Sequence, residues 1–510
     1  MSSPIAALLA IDKAIRQPVY LQIANQLMTL IRQGALPAGQ RLPSSREIAG
    51  LLHVHRKTVV QAYEELLVQG WLESQVGSGT FVARHLPEIR PRGLLNGPGD
   101  ANGVRMAPAN PVQVAGFAFE SRSHLDREVI KPRIGHHLDD GFPDPRLAPL
   151  KELSRAYRSQ LLTGNSYVRL GYGDPVGSAR LRQELSSYLN ETRGLKTGPG
   201  NILITRGTTM GVYLVSAAFL QPGDNVVVGE SNWSGANMNF LQAGANLAII
   251  PTDQYGIDVD SLERYCRKQR VRLVYVTSHH HYPTTVALRA DRRIQLLRLA
   301  SAYGFIIFED DYDYDFHYLS KPLLPLASAD QAGMVLYCGS FTKTVSPAFR
   351  IGYLVGPENV IRHLAQLRRI IDRQGDSMLE NAMAELLQNG VIQRYLRKAL
   401  RMYRQRRDIF CDLLKDRLGD HVEFQVPDGG MAVWTRFDPR TKLPDLAKRA
   451  MEQGLYLPDG LRYDPDSRSL NSTRLGFASS SPAELERCVE IMAGLVNRKK
   501  AGKIDIFPPG

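Results

Sequence analysis

A chain of 510 residues is too long for one ordinary hydrophobic core, and at roughly 100–200 residues per domain it predicts two to four domains. Its composition, 43% hydrophobic and 22% charged, is typical of a globular protein. No apolar run approaches the ~20 residues that a membrane helix needs, which excludes a transmembrane protein. The first residues lack the basic start and the small-residue cleavage site of a secretory signal, so we expect a cytoplasmic protein.

Charge and cysteine usage narrow the choice of partners. The net charge of +12 favours an anionic partner, such as the phosphate backbone of a nucleic acid, but charge alone does not identify it. The four cysteines lie far apart and have no CxxC spacing, so we predict neither a structural zinc site nor a disulfide framework. We expect reduced and mostly packed thiols.

The first elements in the chain are predicted helices. The apolar residues of Tyr20–Gln33 fall on one helical face, which predicts an amphipathic helix. After a turn that contains Pro and Gly, Ser44 and Glu47 have the spacing of a capping box, so a short helix begins there. A further helix is predicted from about His55 to Gln69.

The last two of these helices form a helix-turn-helix pattern whose second helix starts with basic residues. At such a start, base edges and phosphates of DNA come within reach. Residues 71–73 and 80–82 are predicted to pair as a small β-wing around the tip Gly77–Gly79, where glycine lets the backbone approach the sugar-phosphate closely. The alternative is that the basic side chains are only a solvated charged face. Helix-turn-helix, wing and linker together favour DNA.

The stretches LPSSREIA, VHRKTVVQAY and GSGTFV make this region resemble the GntR-type winged helix over roughly 65 residues. That resemblance implies contact with a double-stranded DNA operator, and hence a location at the nucleoid. Two departures are Gln61, where a second recognition-helix arginine is common, and Val76, where a wing arginine is frequent. The predicted DNA contacts from the resemblance are Arg46, Arg56, Thr58 and Gly79, to which the outward helical face and the wing tip add His55, Lys57 and Gly77.

Composition marks the domain boundaries. We assign residues 14–84 to the winged-helix domain and residues 85–134, rich in Pro, Gly and Asn without helical or strand period, to a flexible linker. A coil of about 50 residues spans on the order of 40 Å, so the flanking domains need not touch. Residues 135–496 form the large domain, and 497–510 are a polar tail expected to be disordered.

The large domain alternates short apolar runs with helical stretches, as βαβ units of an α/β fold with a mainly parallel sheet do. Each apolar run is short enough for a buried strand and is bounded by polar or turn residues. The predicted strands are Ile202–Thr205, Asn225–Val228, Leu247–Pro251, Leu273–Thr277, Phe305–Glu309, Val335–Cys338 and Ile351–Val355.

The motif Ser340-Phe341-Thr342-Lys343 follows one of these strands, and Arg350 lies seven residues beyond the lysine. Pyridoxal 5'-phosphate (PLP) chemistry needs such a set, because an amine forms the Schiff base while a hydroxyl and an arginine hold the phosphate. A single SxxK spacing is weak evidence, since most lysines are surface charges.

Acidic residues at the end of another strand support this interpretation. Alternate residues of an extended chain share a face, so Asp310 and Tyr312 point the same way while Glu309 and Asp311 point away. Asp310 could keep the pyridine nitrogen of PLP protonated, and Tyr312 could bind its 3'-oxygen. The alternative is an ordinary polar turn.

A phosphate cradle is also predicted. Strand Ile202–Thr205 runs through Arg206 into Gly207, Thr208 and Thr209 at the start of a helix, whose free N–H groups and hydroxyls can face an anion. The alternative is an ordinary strand–turn–helix corner with a threonine cap.

Taken together, these residues resemble fold-type I aminotransferases and, more narrowly, the MocR/GabR family of regulators from about residue 139 to 490. The stretches that carry the resemblance include GFPDPRLAPL, YGDPVGSARLRQELSSYL, ILITRGTTM, EDDYDYDFHY, SFTKTVSPAFRIGYLVGP and TRLGFA. By position, the resemblance implies Lys343 as the aldimine lysine, Asp310 and Tyr312 as partners of the ring, Ser340, Arg350 and Thr208 as phosphate ligands, Arg474 as the receiver of an effector carboxylate, and Trp233 near the place of a ring-stacking tyrosine.

Two departures bear on catalysis. Catalytic aminotransferases usually have Asn before Pro283 and Gly after Thr284, whereas Tyr282 and Thr285 stand there, which questions turnover more than cofactor binding. The run His279-His280-His281 invites a zinc interpretation, but adjacent residues cannot all converge on one ion, so we predict no metal site.

The resemblance implies a PLP-dependent transcription regulator that senses an amine or amino-acid effector when the effector displaces Lys343 and forms an external aldimine. It also implies a homodimer with a domain-swapped, head-to-tail arrangement. Two alternatives remain. One is an active aminotransferase with an appended DNA-binding module, although we expect at most a half-transamination. The other is a regulator of vitamin B6 synthesis that senses PLP itself.

Overall fold

A computed structural model describes residues 8–12, 15, 17–75, 77–87, 115–125, 135–165, 167, 170–319, 323–463 and 470–497. The chain divides into two compact units, Met1–Ala118 and Phe119–Gly510. Most of the predicted linker 85–134 and all of the predicted tail beyond 497 lie outside the described residues. No helix in the described ranges is long and apolar enough to cross a membrane.

The first unit has three helices in its described part: α1 (Val19–Arg32), α2 (Ser45–Leu51) and α3 (Arg56–Val68). The capping box at the start of α2 is confirmed, because the Ser44 hydroxyl accepts from the Glu47 amide while the Glu47 carboxylate accepts from the Ser44 amide. Both predicted helices around it are also present, with ends that shift by a residue.

The predicted wing is an antiparallel hairpin of β1 (Leu72–Gln75) and β2 (Gly79–Val82), in register from Leu72 opposite Val82 to Gln75 opposite Gly79. Trp71 lies just before β1 and is buried in the core of this unit, together with the apolar faces of α1 and α3. Val76, the departure at the wing tip, lies outside the described residues.

In the described part of the second unit, seven strands form one sheet, and each predicted strand is present with ends that differ by at most about two residues. The strands are β4 (Ile202–Thr205), β5 (Asn225–Gly229), β6 (Asn246–Ile250), β9 (Val271–Val276), β10 (Ile306–Asp311), β11 (Val335–Ser340) and β12 (Gly352–Val355). The sheet has the order β4-β12-β11-β10-β9-β5-β6, in which only β12 runs opposite to the others.

This topology determines where chemistry can occur. The carboxyl ends of β4, β9, β10 and β11 share one edge of the sheet, and the reversed strand β12 begins at that edge. Ligands of open α/β sheets bind outside the carboxyl ends of the strands. The loops that leave these strands are therefore the expected site.

Helices cover both faces of the sheet, as a mainly parallel sheet requires. Successive side chains of β5 alternate between the faces. Val226 and Val228 pack in one cluster with Val212, whereas Val227 belongs to a separate cluster with Leu296. The near-continuous apolar strands are thus explained by burial on both sides.

The remaining elements complete the second unit. A three-stranded antiparallel sheet of β13 (Val422–Phe424), β14 (Ala432–Phe437) and β16 (Ser472–Gly476) follows the long helix Val391–Leu418. Short strand pairs are formed by β3 (His136–His137) with β15 (Leu455–Tyr456) and by β7 (Thr252–Asp253) with β8 (Gly256–Ile257). The helices are α4 (Leu150–Leu162), α5 (Ala179–Arg193), α6 (Thr208–Phe219), α7 (Ser234–Gln242), α8 (Val259–Cys266), α9 (Ala290–Tyr303), α10 (Leu326–Ala329), α11 (Phe341–Thr344), α12 (Glu358–Ile371), α13 (Ser377–Gln388), α14 (Val391–Leu418), α15 (Leu443–Glu452) and α16 (Pro482–Asn497).

Candidate functional site

A pocket of about 370 Å³ lies at the carboxyl edge of the sheet in the second unit. Its lining includes every predicted cofactor residue except Gly207, and also the predicted effector residue Arg474. The lining residues are Asp140, Phe142, Thr208, Thr209, Trp233, Tyr275, Thr277, Tyr282, Asp310, Tyr312, Ser340, Thr342, Lys343, Pro347, Arg350, Arg462 and Arg474.

Lys343 lies on α11, the one-turn helix that follows β11 directly. Its Nζ donates to the carbonyl of Gly141 at 2.8 Å and lies 3.9 Å from the centre of the Phe142 ring. Burial lowers the pKa of Lys343, because desolvation disfavours the ammonium form. A larger fraction of this amine is therefore neutral and nucleophilic than on a surface lysine.

Asp310 is the second-last residue of the buried strand β10 and lines the pocket. Tyr275 donates its hydroxyl to Oδ2 of Asp310 at 2.6 Å, whereas Oδ1 is buried without a hydrogen-bond partner among the described residues. Burial raises the pKa of Asp310 to about 7, although the Tyr275 hydrogen bond opposes the shift. Tyr312 faces the same pocket and donates to the carbonyl of His280 at 3.0 Å.

The neighbouring acids point away from the pocket, as the strand alternation predicts. Glu309 accepts from the amide of Leu326 at 2.8 Å, and Asp311 accepts from the Tyr337 hydroxyl at 2.7 Å. Both are buried, so this cluster is not the exposed polar turn of the alternative interpretation.

The start of α6 forms a cradle for an anion. Gly207 precedes the helix with φ of 78°, and a Cβ at this position would lie 3.0 Å from the guanidinium of Arg350. Arg350, whose φ is 48°, donates to the carbonyl of Arg206 at 2.7 Å. The first N–H groups of a helix have no intrahelical acceptor, so they and the guanidinium can bind a phosphate together. The hydroxyls of Thr208 and Ser340 line the same pocket.

Trp233 reaches the pocket because its neighbour is small. It immediately precedes α7, and a Cβ on Gly235 would lie 2.5 Å from the indole ring. The indole lines the pocket wall, where it can stack on a flat ring.

These features fit PLP. The unpaired Asp310 oxygen suits a protonated pyridine nitrogen, and such a cation would stabilise the carboxylate that burial destabilises. The Gly207 cradle suits the phosphate, and the Lys343 amine suits the aldehyde. The pocket also lies where ligands of such sheets bind.

Sequence reasoning missed Asp140. Its Oδ1 accepts from the Tyr463 hydroxyl and lies near Arg474 Nε, each at 2.9 Å, and its Oδ2 accepts from the Tyr282 hydroxyl at 2.9 Å. The available signal was an acid directly before the quoted GFPDP stretch. Nothing in the sequence pairs that acid with an arginine so far along the chain.

The departures from catalytic aminotransferases have structural counterparts. Tyr282 hydrogen-bonds Asp140, and Thr285 has φ of 67°, in the left-handed region where glycine is favoured. The three consecutive histidines diverge: His280 pairs with Asp313 at 2.7 Å, His281 hydrogen-bonds the Ser231 carbonyl at 3.0 Å, and His279 hydrogen-bonds a different carbonyl. No group of three or more His, Cys, Asp or Glu in the described residues is arranged to hold a metal.

In the first unit, the predicted DNA contacts at the helix starts lie on one exposed surface. His55 caps α3 by accepting from the amide of Lys57 at 3.2 Å. Arg56 donates to the hydroxyl of Ser45 at 3.3 Å, which brings the starts of α2 and α3 together. Arg46, His55, Arg56 and Lys57 are all exposed.

The wing supplies the rest of the predicted contacts. Gly77 and Gly79 are exposed, with φ of 78° and 117°, and a Cβ on Gly79 would lie 3.1 Å from the guanidinium of Arg41. Arg41 was not predicted as a contact, because it lies in the turn before α2 and reaches the wing only in the fold, through a β-bridge to Phe81. Thr58 is half-buried, and Gln61 is exposed one turn later on α3.

Comparison with known proteins agrees with this two-part organisation. The gntR family of bacterial regulatory proteins matches residues 19–82, and the aminotransferase class I and II family matches residues 144–492. The chain is 28% identical over 479 residues to the probable rhizopine catabolism regulatory protein MocR of Rhizobium meliloti, with 93% of each chain covered. It is 28% identical over 473 residues to the regulator TauR of Rhodobacter capsulatus, with 91% of this chain and 94% of that one covered.

Solved structures match the second unit. An archaeal alanine:glyoxylate aminotransferase superposes with a TM-score of 0.67 and 28% identity, over 72% of this chain and 91% of that one. The fold and its pocket therefore define an aminotransferase-like domain joined to a winged helix. The chain belongs to the aminotransferase class I and II family, and with its gntR-family domain it is a transcription regulator of the MocR/GabR type.

We expect Thr285→Gly to stabilise the second unit by about 1 kcal/mol, because the left-handed backbone strains a β-branched residue but not glycine. Thermal unfolding of the full chain measures the change. Thr284→Gly is the matched control, since Thr284 is outside the positive-φ residues and glycine there adds only flexibility. A lower midpoint for Thr285→Gly than for the wild type would contradict the expectation.

Proposed function

We propose that this chain is a PLP-dependent transcription regulator whose aminotransferase-like domain senses an amine or amino-acid effector. The observation that carries the proposal is the pocket in which the Lys343 amine, the unpaired Asp310 oxygen and the anion cradle of α6 come together. The same chain carries a gntR-family domain. An effector amine that takes the place of Lys343 on the cofactor would provide the signal.

The residues divide the work by chemistry. Bound PLP supplies an aldehyde that condenses with primary amines. Lys343 would provide the amine that holds the cofactor, and Asp310 would hold the proton on its ring nitrogen. Tyr312 would bind the ring oxygen, and Trp233 would stack on the ring. Gly207, Thr208, Thr209, Ser340 and Arg350 would bind the phosphate.

A change at Lys343 is local, so it can affect DNA binding only if the protein has two arrangements in equilibrium. An effector shifts that equilibrium by no more than the difference between its affinities for the two arrangements. A Lys343 side chain that did not hold the cofactor would have an Nζ free for hydrogen bonds in the pocket, such as the one to the Gly141 carbonyl. The proposed readout is a change in the placement of the winged helices on operator half-sites.

We also propose a homodimer with the head-to-tail swap that the resemblance implies. An exposed apolar patch supports self-association: Tyr172 is 79% exposed and Ile370 is 81% exposed. The two segments are adjacent, because the Arg373 guanidinium lies 4.1 Å from the centre of the Tyr172 ring. Large apolar patches on soluble proteins mark interaction sites. Arg206, next to the cofactor cradle, pairs with Asp372 at 3.0 Å, so this patch borders the pocket.

A second candidate is a working aminotransferase. Its support is the similarity to the aromatic-amino-acid aminotransferase 1 of Thermococcus litoralis, 26% identical over 367 residues and 71% of this chain. Multiple turnovers with an amino donor and a keto acid would favour this candidate. A DNA-binding titration with PLP and no amine tests the remaining alternative, in which the cofactor itself is the signal.

We expect Lys343→Ala to abolish covalent attachment of PLP, because it removes the only amine in the described pocket lining. Protein saturated with PLP is reduced with borohydride, and the modified peptide is identified by mass. The wild type should carry the adduct on Lys343 and absorb visible light. Lys398→Ala, an exposed lysine of α14, is the control and should behave as the wild type. A wild type without an adduct on Lys343 would refute the proposed sensing mechanism.

We expect Arg56→Ala to weaken binding to duplex DNA selected by the wild type from a random pool, and to reduce the slope of log K against log salt by about 1 if the guanidinium contacts one phosphate. Fluorescence anisotropy over a salt series measures both. Lys415→Ala, exposed on α14 in the other unit, changes the net charge equally and should leave the slope unchanged. Equal slopes for both variants would count against the interface.

We expect Ile370→Glu to weaken the dimer by about 3 kcal/mol, roughly 100-fold in Kd, because it buries a carboxylate in an apolar contact. Light scattering across a dilution series measures the association. Met451→Glu, on the exposed side of α15, is the matched control. If Ile370→Glu and the wild type dissociate alike, the patch is not the interface.

A further inference from the structure

A network of four side chains surrounds the Asp140 carboxylate inside the pocket. Tyr282 and Tyr463 each donate a hydroxyl to it at 2.9 Å, Arg474 Nε lies at 2.9 Å, and the Arg462 guanidinium lies at 3.8 Å. The Asp140 side chain is only 19% exposed. This acid and its partners therefore form part of the wall of the ligand pocket.

The network uses the arginine that the resemblance assigns to an effector carboxylate. Arg474 Nη1 donates to the carbonyl of Pro283 at 2.9 Å, and Nε faces Asp140. The side chain is 2% exposed, so little of its guanidinium is open to the pocket. A carboxylate ligand would need two parallel hydrogen bonds from this fork to bind it tightly. Asp140 already lies against the Nε edge of this fork, and the Pro283 carbonyl accepts from Nη1.

We propose that Asp140 makes this pocket selective for primary amines that carry no carboxylate on the amine-bearing carbon. The inference deepens the proposed function and rests on it. An α-amino acid would bring a second carboxylate beside Asp140, while Arg474, the arginine nearest to that position, is already paired with Asp140. An amine without that group leaves the ion pair between Asp140 and Arg474 intact.

Arg462 determines which carboxylate groups the pocket can still accept. Its guanidinium is 30% exposed and is farther from Asp140 than Arg474 is, so solvent screens its charge. A carboxylate at the distant end of a longer amine could reach this cation. The exclusion therefore concerns the carboxylate next to the reacting amine, and not every anionic group of the ligand.

The test compares matched pairs on the full-length protein loaded with PLP: phenylalanine with 2-phenylethylamine, and leucine with 3-methylbutylamine. Titrations followed by the cofactor's visible spectrum should give Kd values at least about tenfold lower for the amine of each pair. Asp140→Asn keeps an acceptor but removes the charge, so we expect it to gain about tenfold or more in affinity for the amino acids. Asp445→Asn, exposed on α15 and outside the pocket lining, makes the same chemical change and should retain the preference.

A wild type that binds the amino acids as tightly as the matched amines overturns the proposal, and so does an Asp140→Asn protein with an unchanged preference. If that variant does not fold, judged by circular dichroism, the wild-type ratios decide alone. The borohydride adduct on Lys343 separates this failure from that of the proposed function. Adduct without selectivity overturns only the role of Asp140, whereas absence of the adduct overturns both.

Discussion

The parallel pairing of β10 with β11 is the constraint on which the site depends. In this register Asp310 of β10 lies opposite Cys338 of β11. Strand β11 ends at Ser340 and is followed directly by the helical turn that carries Lys343. Because both strands end at the same edge, the carboxylate and the amine line one pocket. A slip of one residue would turn Asp310 to the opposite face. Strand β12 runs in the opposite direction and begins at this edge, so Arg350, which comes just before it, also lines the pocket.

Four aspartates lie near this edge of the sheet, and they differ in whether they line the pocket. Buried carboxylates are costly unless they are hydrogen-bonded or paired. Asp311 accepts from Tyr337, Asp313 pairs with His280, and Asp315 pairs with Arg193 at 2.8 Å, so each has a partner inside the protein. Asp310 also accepts one hydrogen bond and, like Asp311 and Asp313, leaves its other oxygen without a partner in the described residues, but of these four acids it alone lines the pocket. The fold thus keeps the structural acids away from the pocket and places the functional one at its wall.

At the other end of the pocket, where a ligand would bind, the protein itself provides partners for the buried charges. Arg474 is held between the Pro283 carbonyl and Asp140, and the two tyrosines Tyr282 and Tyr463 fix the carboxylate. Burial alone disfavours the charge on Arg474, but the oxygens of Tyr312 and Asp140 more than offset this and raise its pKa. The arginine is therefore charged and already compensated. Tyr282 stands where catalytic aminotransferases usually have Asn, and here its hydroxyl holds the carboxylate that balances the charge of Arg474.

Much of the protein follows from local patterns in the sequence. The capping box at Ser44 and the wing hairpin depend on residues a few positions apart, and the sheet strands are apolar runs bounded by polar residues. The alternation that turns Asp310 and Glu309 to opposite sides needs only an extended chain. The SFTK motif and the Gly207 corner were recognisable because each lies within one strand–loop–helix unit.

Only the tertiary structure decided which distant groups meet. Asp140 and Arg474 come from opposite ends of the second unit, and no period or spacing in the chain relates them. Their pairing depends on β16 packing beside β14 and on the turn at Gly141, whose positive φ brings the preceding acid under the arginine. Local sequence determines backbone conformation and which face of an element is apolar, because those depend on neighbouring residues. The partner of a buried charge depends on long-range packing, and so the selectivity of the pocket could be inferred only from the folded chain.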